Sequence, residues 1–582
     1  MITTITTITT ITTRATVPLA CALFLATSPV SAEVSPEPSA KSSRSAKDAP
    51  PDPRRDAREL VESPLSLSSQ EKLLIERPDR DRPQHPITLP VFGRPLTLGG
   101  RYNVLTRYDR SKLLDFDYFD FDNKDLDGDL DFEEIEDVAR GNTPRDDQLR
   151  VNQSLQLDLF YPFTPNASAY AEFKLFWRNI VWAQNTEESD EWIVERGEFW
   201  LYLGELFDTP LGLQLGRQSY FDDREWWWDQ DLDSIRVRYD LDRFHAEVAV
   251  AQEVLPLTLN DNDIEPDERD IVRVLAMAQW RWGQKQEVGL YALHQRDHSS
   301  HQPLIALGPP DPDLPCVPED EIPPNLPDEA KEFFRSGCPD PIPPVGFEDD
   351  SDSQLTWLGV SAAGTRKLRG WGRFDYWLEA AGVFGEERFT DYSGPTGSRI
   401  VDAIDKHDVS GWGLDVGGTW EFNITAQPYF TLGYAIGSGD SNMQETSDSG
   451  FRQTGLQDNS DKLHGVASFS YYGELIDPEL SNLHIVTAGF GLRFLRRSSI
   501  DFLYHKYRQV ERAPFLRDVN FKRDPDGRDP DIGQEWDVIV GIEDFQPVEF
   551  KFVGSIFRPG RAFRPEDGEL SYLLTLRVRL NF

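Results

Sequence analysis

The last eleven residues of the chain, Tyr572–Phe582, read YLLTLRVRLNF and alternate between apolar and polar side chains. The apolar face consists of Tyr572, Leu574, Leu576, Val578, Leu580 and Phe582. The polar face consists of Thr575, Arg577, Arg579 and Asn581. A strand of about ten residues with one apolar and one polar face is the repeating unit of a transmembrane β-barrel. A soluble sheet has the same period, so the fold depends on how often the pattern recurs.

The same alternation recurs along the chain from residue 96 onward. It predicts eighteen strands, at 97–108, 151–160, 168–178, 196–203, 211–218, 234–240, 243–251, 271–282, 286–295, 354–363, 372–383, 409–421, 427–437, 485–495, 499–508, 535–542, 547–556 and 572–582. A further stretch, 462–471, alternates weakly and is expected to lie in a loop.

The connections between these segments alternate in length. Short ones such as 241–242 and 283–285 are followed by long ones such as 109–150 and 296–353. Outer-membrane barrels combine short periplasmic turns with long extracellular loops, which a soluble sandwich has no reason to do. The sequence therefore predicts an all-β fold, a transmembrane antiparallel β-barrel of about 18 strands with long acidic extracellular loops. A barrel of that size encloses an aqueous channel.

The composition limits the classes of partner and chemistry. The 582 residues include 100 Asp and Glu against 60 Lys and Arg, a formal net charge of −40, which argues against nucleic-acid binding. After the N-terminus no 18 consecutive apolar residues occur, which excludes transmembrane helices. With three Cys and three Met, a metal-thiolate or redox protein is not expected. The chain has no Gly-x-Ser-x-Gly segment and no zinc-spaced pair of His, and we expect no enzymatic activity.

The N-terminus indicates the compartment. Residues 1–32 contain an apolar stretch and end in Val30-Ser31-Ala32, the small-x-small pattern of a signal-peptidase site, and are predicted to be a signal peptide. Residues 33–95 are rich in Pro, Ser, Arg and Asp without periodic apolar positions, and are predicted to be a disordered periplasmic segment. Residues 96–582 are predicted to form the barrel, in the bacterial outer membrane.

The first long loop contains a calcium-loop spacing. Oxygen-bearing side chains occupy the six ligand positions, at Asn123, Asp125, Asp127, Asp129, Asp131 and Glu134. Gly128 occupies the sharp turn, and Asn123 replaces the usual Asp. The alternative is a solvated acidic loop that holds cations diffusely. No cofactor is expected to be required, and a structural calcium is the ion that this spacing suggests.

Two cysteines lie in the longest external loop, in an oxidising compartment. A disulfide between Cys316 and Cys338 would close a loop of 22 residues, worth roughly 3 kcal/mol in the chain-entropy model. The alternative is a pair of free thiols. Either way, the pair is expected to be structural.

The polar faces of the strands define the lumen. Alternation places basic residues there, at Lys174, Arg178, Arg196, Arg236, Arg238, Arg273, Arg281, Arg373, Arg493, Lys551, Arg577 and Arg579. Acidic residues share it, at Glu172, Glu198, Glu247, Asp375, Glu379, Asp415, Asp537 and Glu549. A local surplus of guanidinium groups in a narrow pore favours anions, and the planar fork of Arg matches a carboxylate. The alternative is a ladder of salt bridges between neighbouring strands.

Several short segments, each of them weak evidence alone, together indicate a protein family. These are Gly197–Trp200 (GEFW), Leu215–Gln218 (LGRQ), Trp228–Asp229, Leu355–Gly359 (LTWLG), Phe451–Leu456 (FRQTGL), Glu479–Leu483 (ELSNL), Tyr504–Lys506 (YHK), Asp531–Glu535 (DIGQE) and Phe557–Gly560 (FRPG). In this order, from about residue 96 to the end, the chain resembles the alginate export porins of the outer membrane. The resemblance implies an eighteen-stranded monomeric barrel that passes a secreted polyuronate through an arginine-rich constriction, under a loop that acts as a lid.

The resemblance also bears on individual residues. It adds Arg217 and Asp229 to the predicted pore lining, and it places Lys551 where the family has a lining arginine. The chain departs from the family at Ser219, where an arginine is expected, and at Arg577, where an acid is expected. Because the basic residues lie at positions that differ from those of the family, the predicted substrate is an anionic polysaccharide, alginate or a similar polyuronate.

The sequence thus predicts an outer-membrane channel that exports an anionic polysaccharide through a lumen lined by Arg and Lys. Two alternatives stay open: an uptake porin for small anions or uronate oligosaccharides, and a barrel-anchored, calcium-dependent surface protein. The expected partners are outer-membrane lipid, the polysaccharide and a periplasmic export scaffold, without nucleic acid. The chain is expected to be a monomer.

Overall fold

A computed structural model gives the structure of the chain. It describes residues 87–111, 113–114, 146–183, 190–259, 264, 270–282, 286–298, 348–393, 400–441, 446–517, 519, 521, 524–563 and 568–582. The predicted signal peptide, the predicted calcium loop (Asn123–Glu134) and the pair Cys316 and Cys338 lie outside the described residues.

The described residues form strands and irregular segments. The strands are β1 (Ile87–Val91), β2 (Arg94–Ser111), β3 (Asp146–Thr164), β4 (Ala167–Ala183), β5 (Asp190–Leu206), β6 (Leu211–Phe221), β7 (Asp229–Asp240), β8 (Phe244–Ala251), β9 (Val272–Arg281), β10 (Gln286–Asp297), β11 (Glu348–Leu368), β12 (Gly372–Ser393), β13 (Ile400–Glu421), β14 (Tyr429–Gly437), β15 (Ser447–Asp448), β16 (Ser460–Asp461), β17 (Phe469–Ser470), β18 (Leu483–Phe494), β19 (Ser498–Gln509), β20 (Asp531–Phe545), β21 (Val548–Pro559) and β22 (Ser571–Asn581). Across this part of the chain, no helix has the length and apolarity needed to cross a membrane.

Eighteen of these strands, β2–β14 and β18–β22, form one closed antiparallel barrel. Each pairs with the next along the chain, β14 pairs with β18, and β22 closes the circle against β2. Every segment predicted from the alternation coincides with one of these strands, so the predicted fold class is confirmed. Stretch 462–471 lies in the connection between β14 and β18, as expected, although its ends contribute to the small hairpin β16–β17.

The faces of the strands are those that the alternation predicts. On β22, Leu574 and Leu576 are 46% and 44% exposed on the outside, whereas Asn581 is buried inside. Arg577 and Arg579 share the inner face with Asn581 and are half-buried. Because side chains alternate, a slip of one residue would turn both arginines toward lipid, at a cost of about 2–4 kcal/mol each near the bilayer centre. The apolar outer surface therefore sets the register.

The first described strand lies inside the range predicted for the disordered segment 33–95. Strand β1 pairs with the start of β2, from Ile87 opposite Leu98 to Val91 opposite Arg94. The turn between them uses Phe92 and Gly93, both with positive φ (47° and 77°). Prolines at 90 and 95 interrupt the alternation here, which is why the pattern does not reveal the strand. The sheet thus begins nine residues before the predicted boundary at residue 96.

Two connections fold into the barrel. The tryptophan loop (residues 222–228) joins β6 to β7, and the plug (residues 446–482) precedes β18. Both contribute to one buried apolar cluster that has members on every barrel strand from β6 to β14 and from β18 to β22. Within the described residues, none of its members lies on β2, β3, β4 or β5. The two inward segments therefore pack against the other barrel strands, while a separate small cluster of Tyr170, Trp200 and Tyr202 is buried on β4 and β5.

Candidate functional site

The tryptophan loop is organised around one carboxylate. Asp222 accepts hydrogen bonds from the backbone N–H groups of Trp227 and Trp228, at 2.9 and 3.1 Å. The N–H groups of Arg224 and Trp226 also donate to it, at 3.2 and 3.3 Å. Burial raises the pKa of Asp222 to about 6, although these four N–H groups act in the opposite direction. The carboxylate thereby holds the backbone that presents three consecutive tryptophans to the lumen.

The three tryptophan side chains are buried inside the barrel. The ring of Trp227 stacks on Tyr291 of β10, with centroids 4.9 Å apart, and its Nε1 donates to Glu379 of β12 at 3.1 Å. Nε1 of Trp226 donates to the hydroxyl of Tyr472 in the plug, at 3.0 Å. Aromatic groups that also satisfy their polar atoms form specific contacts. The tryptophan loop thus joins the plug to the inner face of β10–β12.

Charged contacts fix the same junction. Arg224 donates to Asp415 of β13 at 3.0 Å and to Asp461 of the plug at 3.3 Å. Its guanidinium also lies over the rings of Trp377 and Tyr471, at 4.4 and 4.1 Å. The two carboxylates raise the pKa of Arg224 above its usual value in spite of its burial. The side chain is therefore a permanent cation that holds three elements together.

The plug is also tied to the barrel at two further points. Near its start, Arg452 forms ion pairs with Glu387 of β12 and with Asp448, the latter at 2.7 Å. Farther along, His464 lies 3.0 Å from Asp375 of β12 and accepts a hydrogen bond from Arg373 at 2.6 Å. A buried polar group without its partner costs about 1–3 kcal/mol. These anchors therefore favour the packed position of the plug.

Most of the predicted lining arginines are matched by carboxylates. Arg196 of β5 binds both oxygens of Asp233, at 2.6 and 2.9 Å. Arg217 of β6 pairs with Glu253, which follows β8. Burial raises the pKa of Glu253 to about 7, while the Arg217 guanidinium acts in the opposite direction and Asp233 reinforces the increase. In this part of the lumen the structure resembles the salt-bridged ladder that was the alternative to a basic surplus.

The same holds for the neighbouring strands. Arg236 and Arg238 of β7 lie 3.3 Å from Glu247 and 3.8 Å from Asp240. Other predicted residues have the following contacts: Arg273 with Gln295 at 2.9 Å, Arg281 with Glu287 at 3.2 Å, Arg373 with Asp375 at 3.3 Å, and Arg493 with the carbonyl oxygen of His464 at 2.8 Å. The side chain of Arg281 is 52% exposed, outside the enclosed part of the lumen. The structure therefore does not bring these residues into one cluster.

A second group of basic residues is brought together. Lys551 of β21 and Arg577 of β22 are register partners, and Arg579 follows on the same inner face. On the neighbouring strands the inner faces carry further basic residues, which the alternation analysis did not name: Arg101, Arg107 and Arg150. We call the set Arg101, Arg107, Arg150, Lys174, Lys551, Arg577 and Arg579, on β21, β22, β2, β3 and β4, the basic band. Extending the same parity from Arg577 to its partner strand β2 would have found Arg101 and Arg107.

The basic band overlaps the strands without a member of the large apolar cluster, β2–β5, and extends onto β21 and β22, which carry some of its members. Arg101 and Arg107 are half-buried, as are the small polar residues Asn103, Asn152 and Ser154 that share their inner faces. By contrast, plug-facing residues such as those of the tryptophan loop are almost fully buried. Side chains of the basic band thus keep contact with the interior solvent.

The predicted lining residue Asp229 belongs to a carboxylate group at the edge of the plug. Glu225, Asp229 and Asp458 each place one carboxylate oxygen within 4.8 Å of the others. Such a set suits a hard cation. It also suits a basic side chain, and Lys551 interacts electrostatically with Asp458. The plug edge is therefore acidic where it faces the basic band.

An eighteen-stranded antiparallel barrel with apolar outer and polar inner faces defines the class of protein: the chain is a β-barrel of the bacterial outer membrane. The comparisons specify the family. The Alginate export family model matches residues 131–575, and the chain belongs to that family.

The chain is also similar to individual proteins. The chain is 26% identical over 396 residues to the alginate production protein AlgE of Pseudomonas aeruginosa, covering 65% of this chain and 72% of that protein. Among solved structures, it is similar to OccAB1 of Acinetobacter baumannii (9% identity, 83% of this chain, 96% of that chain, TM-score 0.45). It is also similar to OccK2 (OpdF) of Pseudomonas aeruginosa in complex with glucuronate (10% identity, 83% and 96% coverage, TM-score 0.42).

Proposed function

We propose that the protein is the outer-membrane channel through which alginate, or a similar polyuronate, leaves the cell, and that the polymer passes along the basic band. The observation that carries the proposal is the position of the band. It spans β21, β22 and β2–β4, and so it overlaps the strands, β2–β5, on which the apolar cluster of plug and tryptophan loop has no member. Membership of the Alginate export family supports the substrate class. The family match favours neither the uptake porin nor the calcium-dependent surface protein.

The chemistry of the band suits a chain of carboxylates. Arginine offers a planar pair of N–H donors to each carboxylate. Acidic residues on the same inner faces are fewer than the basic ones: Asp109, Asp158, Glu172 and Glu549. Conduction needs binding that is weak and repeated, so that each uronate can move to the next site. Several partly matched arginines along one face provide such a series.

The protein is a channel in this proposal and carries out no chemical step on the polymer. One chain closes the whole barrel, so a single copy is sufficient to form the channel. A periplasmic scaffold would deliver the polymer to the end of the barrel where the chain termini of the sheet, at β1 and β22, meet.

The proposal is tested by secretion in a host that makes alginate but lacks its own export barrel. The double variant Arg107→Glu with Arg577→Glu reverses two charges of the band, and we expect several-fold less uronic acid in the medium. Arg281→Glu is the matched control, because Arg281 is exposed and lies outside the band. Both variants must reach the outer membrane in wild-type amount, as judged by heat-dependent migration on gels. Equal secretion by the double variant and the wild type would contradict the proposed path.

A further inference from the structure

The tip of the plug places a carboxylate in the basic band. Glu474 lies in the plug, and its Oε1 accepts a hydrogen bond from Nζ of Lys551 at 3.2 Å. The two side chains are 14% and 19% exposed, so the pair is screened from bulk water but not sealed. It is the charged contact by which the plug reaches across to β21.

Glu474 interacts with a second residue of the basic band besides its hydrogen-bond partner Lys551. Lys551 also interacts electrostatically with Arg577, its register partner on β22. Arg107 of β2 interacts electrostatically with Glu474. The carboxylate therefore lies in the field of two basic side chains, Lys551 and Arg107, in the position that a carboxylate of a passing polymer would need.

The backbone on both sides of Glu474 is held firmly. The buried carboxylate of Glu535 accepts hydrogen bonds from the N–H groups of Leu475 at 2.7 Å and Ile476 at 3.3 Å. On the other side, the hydroxyl of Tyr507 donates to the carbonyl oxygen of Tyr472 at 2.6 Å. Release of Glu474 from Lys551 therefore requires only rotation of its side chain and leaves the plug in place.

We propose that Glu474 is a tethered carboxylate that occupies the basic band when no polymer is present and is displaced by the carboxylates of the polymer. The inference rests on the proposed function and adds a specificity-determining residue to it. Only a ligand with an anionic group, such as the carboxylate of a uronate, can replace Glu474 on Lys551, so neutral glycans gain nothing by entering. The exchange also keeps each uronate weakly bound, because the tether competes with it for the same ammonium group.

The test is block of ionic current through the purified full-length barrel in a planar bilayer by oligouronates. We expect Glu474→Gln to lower the half-blocking concentration about fivefold, the effect of a single partly exposed ion pair. In the background of Lys551→Gln, the same substitution should have a much smaller effect, because only the longer-range interaction with Arg107 remains. Asp461→Asn is the matched control, since it removes a charge from the plug at the Arg224 contact, away from the band. Neutral oligoglucans should not block any of these variants.

The outcomes separate the two proposals. Absence of block in the wild type would contradict the proposed function itself. Block of the wild type with no gain in Glu474→Gln, or with an equal gain in Asp461→Asn, would overturn the role of Glu474 and leave the function standing. A gain of the same size in the Lys551→Gln background would also overturn it, because the carboxylate would then act without its partner.

Discussion

Single carboxylates determine the shape of the lumen. Asp222 is buried below the tryptophan loop. Its two carboxylate oxygens accept hydrogen bonds from four backbone N–H groups. Each buried N–H left without an acceptor costs about 1–3 kcal/mol. The loop conformation, and with it the burial of Trp226–Trp228, therefore depends on one side chain that makes no contact with the proposed path.

Glu253 makes the charge of the lumen depend on pH. Its pKa is raised to about 7 by burial, with Asp233 adding to the increase and Arg217 opposing it. Below that pH the carboxyl takes up a proton, and Arg196 and Arg217 lose one counter-charge. We therefore expect the preference for anions over cations, measured as a reversal potential under a salt gradient, to increase as the pH falls from 8 to 6.

Two variants isolate this group. Glu253→Gln should remove this component of the pH dependence and should resemble, at pH 8, the wild type at pH 6. Glu205→Gln, which changes an exposed residue near the turn after β5, should retain the wild-type profile. A Glu253→Gln channel that still shifts its selectivity over this interval would show that another group titrates there.

The residues of the basic band illustrate what alternation can and cannot reveal. Parity alone places Arg577, Arg579 and Lys551 on the inner face, and the structure agrees. Parity does not give register, so it could not show that Arg217 meets Glu253 across three strands or that Arg196 meets Asp233. Whether a lining arginine is matched depends on contacts between residues distant in sequence.

At the scale of elements, the strands and the plug obey different rules. Each barrel strand places apolar side chains toward lipid and polar ones toward the lumen, so apolar and polar residues alternate along it. All eighteen strands could be predicted from this alternation. The plug and the tryptophan loop are buried by tertiary packing inside the barrel and have no lipid-facing side. Their residues follow no period. By length, both connections belong to the long ones that are predicted to be extracellular loops. The alternation does not predict strand β1, because Pro90 within it and Pro95 at the start of β2 interrupt the pattern.

Removal of the plug should widen the channel. Ile436 of β14 and His484 of β18 face each other in register, so a four-residue Gly-Ser turn can replace residues 439–481. We expect the barrel to form, because none of its eighteen strands lies in the deleted segment, and the single-channel conductance to rise several-fold. Heat-dependent migration on gels checks that the barrel has formed. An unchanged conductance would show that the plug does not lie in the path of ions.

At the scale of the whole molecule, charge is separated across the lumen. Asp458 of the plug forms an acidic group with Glu225 and Asp229, and it interacts electrostatically with Lys551 of the basic band. The ladder of matched pairs on β5–β8 lies beside it and adds little net charge. An anionic chain is thus directed to one side of the barrel, since the electrostatic field in a narrow polar passage is concentrated by its low-dielectric surroundings.

The fold class and the family could be predicted from the sequence, whereas the path through the molecule could not. The alternation predicts the fold class, and the collinear segments from Gly197 to Gly560 predict the family. The family match over residues 131–575 confirms the family. The path depends on which side of the barrel the plug occupies, and that follows from contacts such as Trp227 with Tyr291 and Arg452 with Glu387. The calcium loop at Asn123–Glu134 and the disulfide between Cys316 and Cys338 stay predictions.

The central claim is that a polyuronate moves along a basic band in a partly plugged barrel. Its most direct test is the current through single wild-type barrels in a planar bilayer, first under a salt gradient and then with alginate oligomers added. We predict anion selectivity and reversible block by the oligomers, with block weakened several-fold in the double variant Arg107→Glu with Arg577→Glu. Cation selectivity without block in the wild type would contradict the claim. The barrel fold would still stand.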